Sequence, residues 1–243
     1  MPDPTYNNSL VWDATGDRLF ETGIDHVVLY PINDNGEYKP GVAWNGVTGI
    51  DESPSGAEPT KMYADNIQYV TLYSLEEYGC TVKCLTYPDE FEACNGIADL
   101  GDSTVGAIAG QQNRKKFGLC YRTLIGNDVK GQDYGYKLHI VYGCTAKPSS
   151  KSHQTVNNSP NTEEMSYEVT SDPIIASSAS NEKLKPLCTI EIDSTKFTTV
   201  DQKALLAALE KKLYGDPEAS SADAGIPYLP LPSEIRTTLT PAG

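Results

Sequence analysis

The residues able to do chemistry are few and scattered. The chain of 243 residues has three histidines, His26, His139 and His153, and six cysteines, at 80, 84, 94, 120, 144 and 188. A hydrolase would need one of those histidines as a base beside a nucleophile. Gly101-Asp102-Ser103-Thr104 matches the start of one nucleophile motif, but Gly-Asp-Ser also makes an ordinary turn. His26 opens a strand-like run, His139 lies inside another and His153 falls in a polar loop. The sequence has no G-x-S-x-G, no phosphate-binding G-x-x-x-x-G-K-[ST] and no G-x-G-x-x-G. Cys80 and Cys84, four apart on a strand, face the same side, and Cys94 with a histidine could complete a zinc site. Structural zinc sites favour short Cys-x-x-Cys knuckles, which the sequence lacks, and a strand cysteine is more often a small buried hydrophobe. The carboxylate pairs Glu76-Glu77, Asp89-Glu90 and Glu163-Glu164 are sequence neighbours. On a strand such neighbours point to opposite faces and make poor acid/base couples. The expectation is a protein that is not an enzyme, with no catalytic residue, cofactor or metal.

The elements that would position these residues are mostly strands. Tyrosine dominates the aromatics, 15 against 4 Phe and 2 Trp. Tyrosine suits half-buried strands and interfaces, where one end is apolar and the other wet. Alternating runs occur at Asp25–Ile32, Ile67–Ser74, Cys80–Tyr87, Phe117–Ile125, Tyr136–Cys144, Met165–Thr170 and Cys188–Ile192. Short strands with Gly, Pro, Asn and Asp punctuation predict an all-β sandwich or barrel. One helix is expected over 200–214. Thr199-x-x-Gln202 reads as a capping box, Leu205, Ala208, Leu209 and Leu213 form an apolar stripe, and Gly215 and Pro217 end it. Pro88–Cys94 reads as a shorter helix. Residues 1–23 read as an N-terminal arm, 33–64 as a long loop with two strand-like islands, and 65–214 as the β core. Residues 215–243 read as an extended Pro-rich arm whose Ile226, Leu229, Leu231 and Ile235 dock onto something.

Charge narrows the function further. Lys+Arg is 19 against 33 Asp+Glu, a net charge of −14. Such a chain is poorly suited to gripping nucleic acid by its phosphates, although it could let nucleic acid slide past. Residues 1–60 hold two basic and ten acidic side chains, whereas 111–150 hold seven basic and two acidic. Opposite patches on one chain favour head-to-tail association of copies. No apolar run reaches the roughly 18 residues that a membrane helix needs. The start, Met1-Pro2-Asp3-Pro4-Thr5-Tyr6, has neither a basic region nor an apolar stretch, so a cytoplasm with reduced thiols is the expected place of synthesis.

A series of segments carries a family resemblance. Ser55-Gly56-Ala57-Glu58-Pro59-Thr60-Lys61-Met62-Tyr63-Ala64-Asp65-Asn66-Ile67 is followed by Tyr87-Pro88-Asp89-Glu90-Phe91. Gly110-Gln111-Gln112-Asn113-Arg114-Lys115-Lys116-Phe117-Gly118-Leu119-Cys120-Tyr121-Arg122, Leu124-Ile125-Gly126-Asn127-Asp128 and Tyr134-Gly135-Tyr136-Lys137-Leu138-His139 come next. In order and spacing these closely resemble the major tail proteins, or tail tube proteins, of long non-contractile-tailed bacteriophages. The resemblance runs from about Asp25 to Ile235 and is densest between Ser55 and Tyr142. It implies a β-sandwich or barrel of the tail tube type with one flanking amphipathic helix, a long inter-ring loop and extended terminal arms, as a single domain. It also implies a virion protein whose copies form stacked hexameric rings, the conduit for DNA ejection, assembled in the host cytoplasm. Expected partners are other copies, a tape-measure protein, a tail-tip initiator complex and a tail terminator, with DNA passing through unbound. Ring contacts are expected at Arg114, Lys115 and Lys116, with Trp44, Tyr63, Leu229 and Leu231. Glu76 and Glu77, in an acidic turn, are expected to face the bore. Rival readings are the tube protein of a contractile tail and a monomeric tail-tip or adhesion β-sandwich.

Overall fold

A computed structural model describes residues 10, 12, 14–74, 76–101, 106–151, 153, 155, 162–175, 185–221 and 224–241. The protein is mainly β, with fourteen strands among the described residues: β1 (Leu19–Pro31), β2 (Val42–Ala43), β3 (Val47–Glu52), β4 (Ser55–Gly56), β5 (Pro59–Ala64), β6 (Ile67–Tyr73), β7 (Glu76–Glu77), β8 (Gly79–Cys84), β9 (Ala98–Asp99), β10 (Ile108–Ala109), β11 (Phe117–Asn127), β12 (Gly131–Ala146), β13 (Met165–Ser171) and β14 (Thr189–Asp193). Two helices close the chain, α1 (Val200–Tyr214) and α2 (Pro232–Leu239).

Eight strands form one antiparallel sheet in the order β2-β1-β11-β12-β13-β8-β3, with β14 also pairing β12. The long strand β12 makes this possible by changing partner. It pairs β14 over Lys137–Val141 and β13 over Cys144–Ala146. Between the two lies Gly143, at φ +62°, where an added Cβ would collide with the Asp172 carbonyl. Only glycine fits there. Below the bend, Leu138, Ile140 and Tyr142 face α1. Above it, Cys144 and Ala146 face the opposite side with Val141.

Two cores result. In the first, β1, β11 and upper β12 pack against β3, β8 and β13, whose inward residues alternate as Cys80, Val82, Cys84 and Tyr167, Val169. Phe91, from a 3-10 turn at Asp89–Phe91 where a short helix was expected, fills its centre, with ring centroids 4.5 Å from Trp44 and 5.0 Å from Tyr167. The edges β2 and β3 are joined by only Trp44-Asn45-Gly46, so the sheet curls until its ends nearly meet. The Trp44 N–H donates to Val27 O and the Leu85 N–H to Gly46 O, each at 2.8 Å. No ladder pairs β3 with β1, and the barrel stays open.

In the second core, α1 and α2 cover the other face of the sheet. The capping box forms as expected, with Thr199 Oγ1 accepting from the Gln202 N–H and the Gln202 side chain accepting from the Thr199 N–H. The buried stripe is Leu206, Leu209 and Leu213; Leu205 is half-buried and Ala208 exposed. The expected stripe was one residue out of phase at its start, because Leu206 shares the face of Leu209 and Leu213 by i, i+3 and i+7 spacing. Gly215, at φ +94°, ends the helix. Its orphan carbonyls find partners in the sheet and tail: the Tyr30 hydroxyl donates to Leu213 O (2.7 Å) and the Tyr228 N–H to Lys212 O (2.7 Å).

Four stretches differ from expectation. Residues 33–64, expected as a loop, contain β2 to β5, and Leu19–Gly23, expected in an arm, begin β1. The expected core strand at Ile67–Ser74 is β6, which lies outside both cores. The Pro-rich tail is part of the fold. Leu229 lies over Gly118 on β11, the Tyr142 hydroxyl donates to Pro230 O (2.8 Å), and α2 opens on Pro232, where a missing N–H costs nothing.

Two expectations follow for stability. Leu229→Ala should cost about 2–5 kcal/mol in urea unfolding of the monomer, as for other buried leucines. A change within about 0.5 kcal/mol would mean the tail is not part of the core. Asp25 receives a bidentate bond from Arg122, both contacts 2.7 Å, and that bond holds its carboxyl below the usual range against the opposing effect of burial. The stabilisation is present above the ordinary carboxylate pKa near 3.8 and is lost as pH falls through the lower folded value. Asp25→Asn should therefore lower Tm at pH 7, and the gap to wild type should narrow progressively as pH falls below the ordinary carboxylate value.

Candidate functional site: an exposed arm and two open sheet edges

The hairpin that begins as β3 and β8 does not stop at the sheet. It continues outward as β4 paired with β7 and then β5 paired with β6, with the Ser53 N–H bonded to Gly79 O at its root. The tip is Asp65-Asn66, both in the left-handed region (φ +50° and +62°). Asp and Asn tolerate that geometry, and it suits a two-residue hairpin turn. Every residue of β5 is exposed, and all of β6 but the half-buried Thr71. Yet the strands are apolar and aromatic. Tyr69 is 74% and Tyr73 70% exposed, with Tyr63, Ile67, Met62 and Leu72 more than half exposed. Met62 pairs Val70 and Thr60 pairs Leu72, so apolar groups cluster across the two strands. An isolated two-stranded hairpin is marginal in water, and a patch of this kind marks an interaction surface.

The sheet supplies a second feature. Below the Gly143 bend it narrows to β1, β11, β12 and β14. β2 pairs β1 only at Val28 and Leu29, and β14 pairs only β12. Among the described residues, the outer sides of Leu19–Ile24 and of Thr189–Asp193 carry no ladder. These two free edges lie on opposite sides of the same four strands. The face away from α1 is polar there, and Lys137 Nζ lies 2.7 Å from Glu21 and 3.9 Å from Glu191.

The expected interface residues separate into groups. Tyr63 is on the arm and Leu231 is exposed just before α2. Trp44 and Leu229 are 3% and 4% exposed, inside the two cores of their own chain. The basic block is engaged within the chain: Arg114 donates to Asn95 Oδ1 (3.2 Å) and Ala146 O (3.0 Å), Lys115 pairs with Asp34 (2.8 Å) and Lys116 with Asp172 (2.5 Å). Glu76 and Glu77 form β7, exposed on the arm. The segment 102–105, with most of the candidate nucleophile motif, lies outside the described residues. An open groove of about 560 Å³ beside β1 holds Asp25, His26 and Tyr214, and among the described residues no serine, threonine or cysteine lines it. His26 Nδ1 lies 3.1 Å from Asp25, and its ring meets Tyr214 edge-on.

The six cysteines are all free and buried. Burial pushes the Cys84 thiol up to about 11, and those of Cys80, Cys94 and Cys120 to about 12. Among the described residues no group of histidine, cysteine and carboxylate side chains has the geometry of a metal site, and no helix is long and apolar enough to cross a membrane.

Sequence reasoning missed the arm, because its Gly, Pro, Asn and Glu content reads as loop. The signal was present in the alternation of Lys61–Tyr63 with Ile67–Tyr73 about Asp65-Asn66.

No family model matches the chain, and no curated protein matches it. Among solved structures, a chain of the anti-feeding prophage baseplate, determined by cryo-EM with 6-fold symmetrisation, is similar at a TM-score of 0.34 and 7% identity, covering 75% of this chain and 97% of that one.

Proposed function

We propose that this chain is a structural virion protein, the tube-forming subunit of a long non-contractile phage tail, with no enzymatic role. In this reading the whole chain is a single tail tube domain. The observation that carries the proposal is the pair of free edges on opposite sides of β1-β11-β12-β14. Joining β14 of one copy to β1 of the next is a heterologous contact, which repeats until it closes into a ring. Closure consumes both edges, which would otherwise be templates for uncontrolled pairing. Hexameric rings then stack, and the apolar arm crosses from each ring to the next. The segments between Ser55 and Tyr142 that resemble the tail tube family lie largely on the arm, β11 and β12.

The acidic composition has a mechanical meaning in this reading. DNA must leave along the bore without being held, and carboxylates such as Glu76 and Glu77 repel phosphates where lysines would bind them. A tape-measure protein, a tip initiator and a terminator are the partners, and the virion tail is the location.

Purified chain, examined by negative-stain electron microscopy across a concentration series, should give rings or hollow tubes with a bore that admits duplex DNA. The double variant Met62→Asp, Leu72→Asp should keep monomer stability within about 0.5 kcal/mol, as for exposed sites, and still form rings, but fail to stack them. A compact monomer at every concentration, even with tape-measure and tip proteins added, would reject the tube reading in favour of a tail-tip or adhesion module.

A further inference from the structure

One histidine sits where the arm root and both open edges converge. His139, on β12, is 7% exposed, and its ring stacks on Tyr121 of β11, with centroids 4.6 Å apart and planes 3° from parallel. Glu21 reaches it from β1, Glu52 from the last position of β3 and Glu191 from β14. Lys137 lies two residues before it on β12 and bonds Glu21. The Tyr121 hydroxyl donates to Glu52, and the buried phenol of Tyr78, just before β8, lies beside Tyr121. Of the three carboxylates around the ring, Glu21 and Glu191 meet the Lys137 ammonium, and Glu52 does not.

The hydrogen bonds determine where the ring carries its proton. Thr123 Oγ1 lies 2.6 Å from Glu21 Oε1 and 2.9 Å from His139 Nε2. Burial alone would raise the Glu21 carboxyl, but the bonds from Lys137 and Thr123 outweigh it and keep it ionised, an acceptor only. The single hydroxyl hydrogen of Thr123 therefore goes to Glu21, and Nε2 must donate to Thr123. A neutral ring then has its lone pair on Nδ1. That atom is buried and has no hydrogen-bond partner among the described residues. The carboxylate oxygens it faces are Glu52 Oε1 at 3.8 Å and Glu191 Oε1 at 4.0 Å. Acceptor faces acceptor, and one proton taken from solvent onto Nδ1 turns this mismatch into charge-assisted contacts.

We propose that His139 is a proton-operated latch between the arm root and the sheet edges. With Nε2 alone protonated, Glu52 and Glu191 are held only from their other sides. With both nitrogens protonated, the imidazolium draws them together and fixes the root of the arm. The consequence for assembly rests on the tube reading. Glu21 and Glu191 belong to the strands whose edges would join copies, and Glu52 is where the arm departs, so one proton acts on ring closure and arm geometry together. Imidazole is the side chain suited to this, since its ring can hold one proton or two, with a separate donor at each nitrogen.

The test uses the full chain with 15N-labelled histidine. At pH 8.5 the His139 signal, identified by its loss in His139→Gln, should show the Nε2–H tautomer, and at pH 5.5 both nitrogens should carry protons. Amide exchange at residues 50–53 and 79–81, corrected for intrinsic rates, should be several-fold slower at pH 5.5 than at pH 8.5. His26→Gln and His153→Gln should keep that difference, and His139→Gln should abolish it. An Nδ1–H neutral tautomer, a root whose protection ignores pH, or an unchanged response in His139→Gln would overturn the latch. If His139→Gln does not fold, the wild-type tautomer and the same exchange experiment on Glu52→Gln decide. Tubes without a pH-dependent root would reject the latch alone; a working latch in a chain that never assembles would reject the tube reading alone.

Discussion

Gly143 holds a left-handed backbone at the point where β12 leaves β14 for β13, and most of the architecture descends from that exchange. A straight β12 would keep one partner on that side and give a flat sheet with one covered face. The bend lets the upper half curl into a sandwich around Phe91 while the lower half stays a four-stranded ribbon. The ribbon has open edges because the strands that cover its upper neighbour have turned away. Closed core and open edges are therefore two results of one backbone constraint.

The tyrosines explain how the helical layer is fixed to this sheet. Tyr30 and Tyr142 are fully buried, and each hydroxyl ends on a backbone carbonyl, one at the end of α1 and one in the tail. Tyr38 accepts from the Gly143 N–H (3.0 Å), so the bend itself is held by a phenol. A phenylalanine would fill the same space but leave those carbonyls without partners in a dry environment. The excess of tyrosine over phenylalanine thus has a structural cause in addition to the exposed tyrosines of the arm.

What could be read from the sequence was local. The capping box at Thr199 and Gln202 and the stop at Gly215 depend on neighbours in the chain, and α1 has the expected bounds. The mainly β class and the positions of β8, β11, β12, β13 and β14 followed from alternation. Features set by distant contacts were not legible. Leu229 and Trp44 look like interface residues until Gly118 and Phe91 are seen to receive them. Arg114, Lys115 and Lys116 read as a basic patch, but Asn95, Asp34 and Asp172 lie far away in sequence. The cluster at His139 draws on five strands, and no spacing motif could have announced it.

The buried thiols carry a consequence for the chain outside a reducing cell. Thiolate, not thiol, attacks a disulfide or an oxidant, and thiols raised to 11 or 12 yield almost none at neutral pH. With none of the six at the surface, copies crowded side by side have no covalent route to one another through sulfur. Any assembly of this chain is then held without bonds between these sulfurs. It can pass from a reducing to an oxidising medium without cross-linking, scrambling or a change in mechanical character.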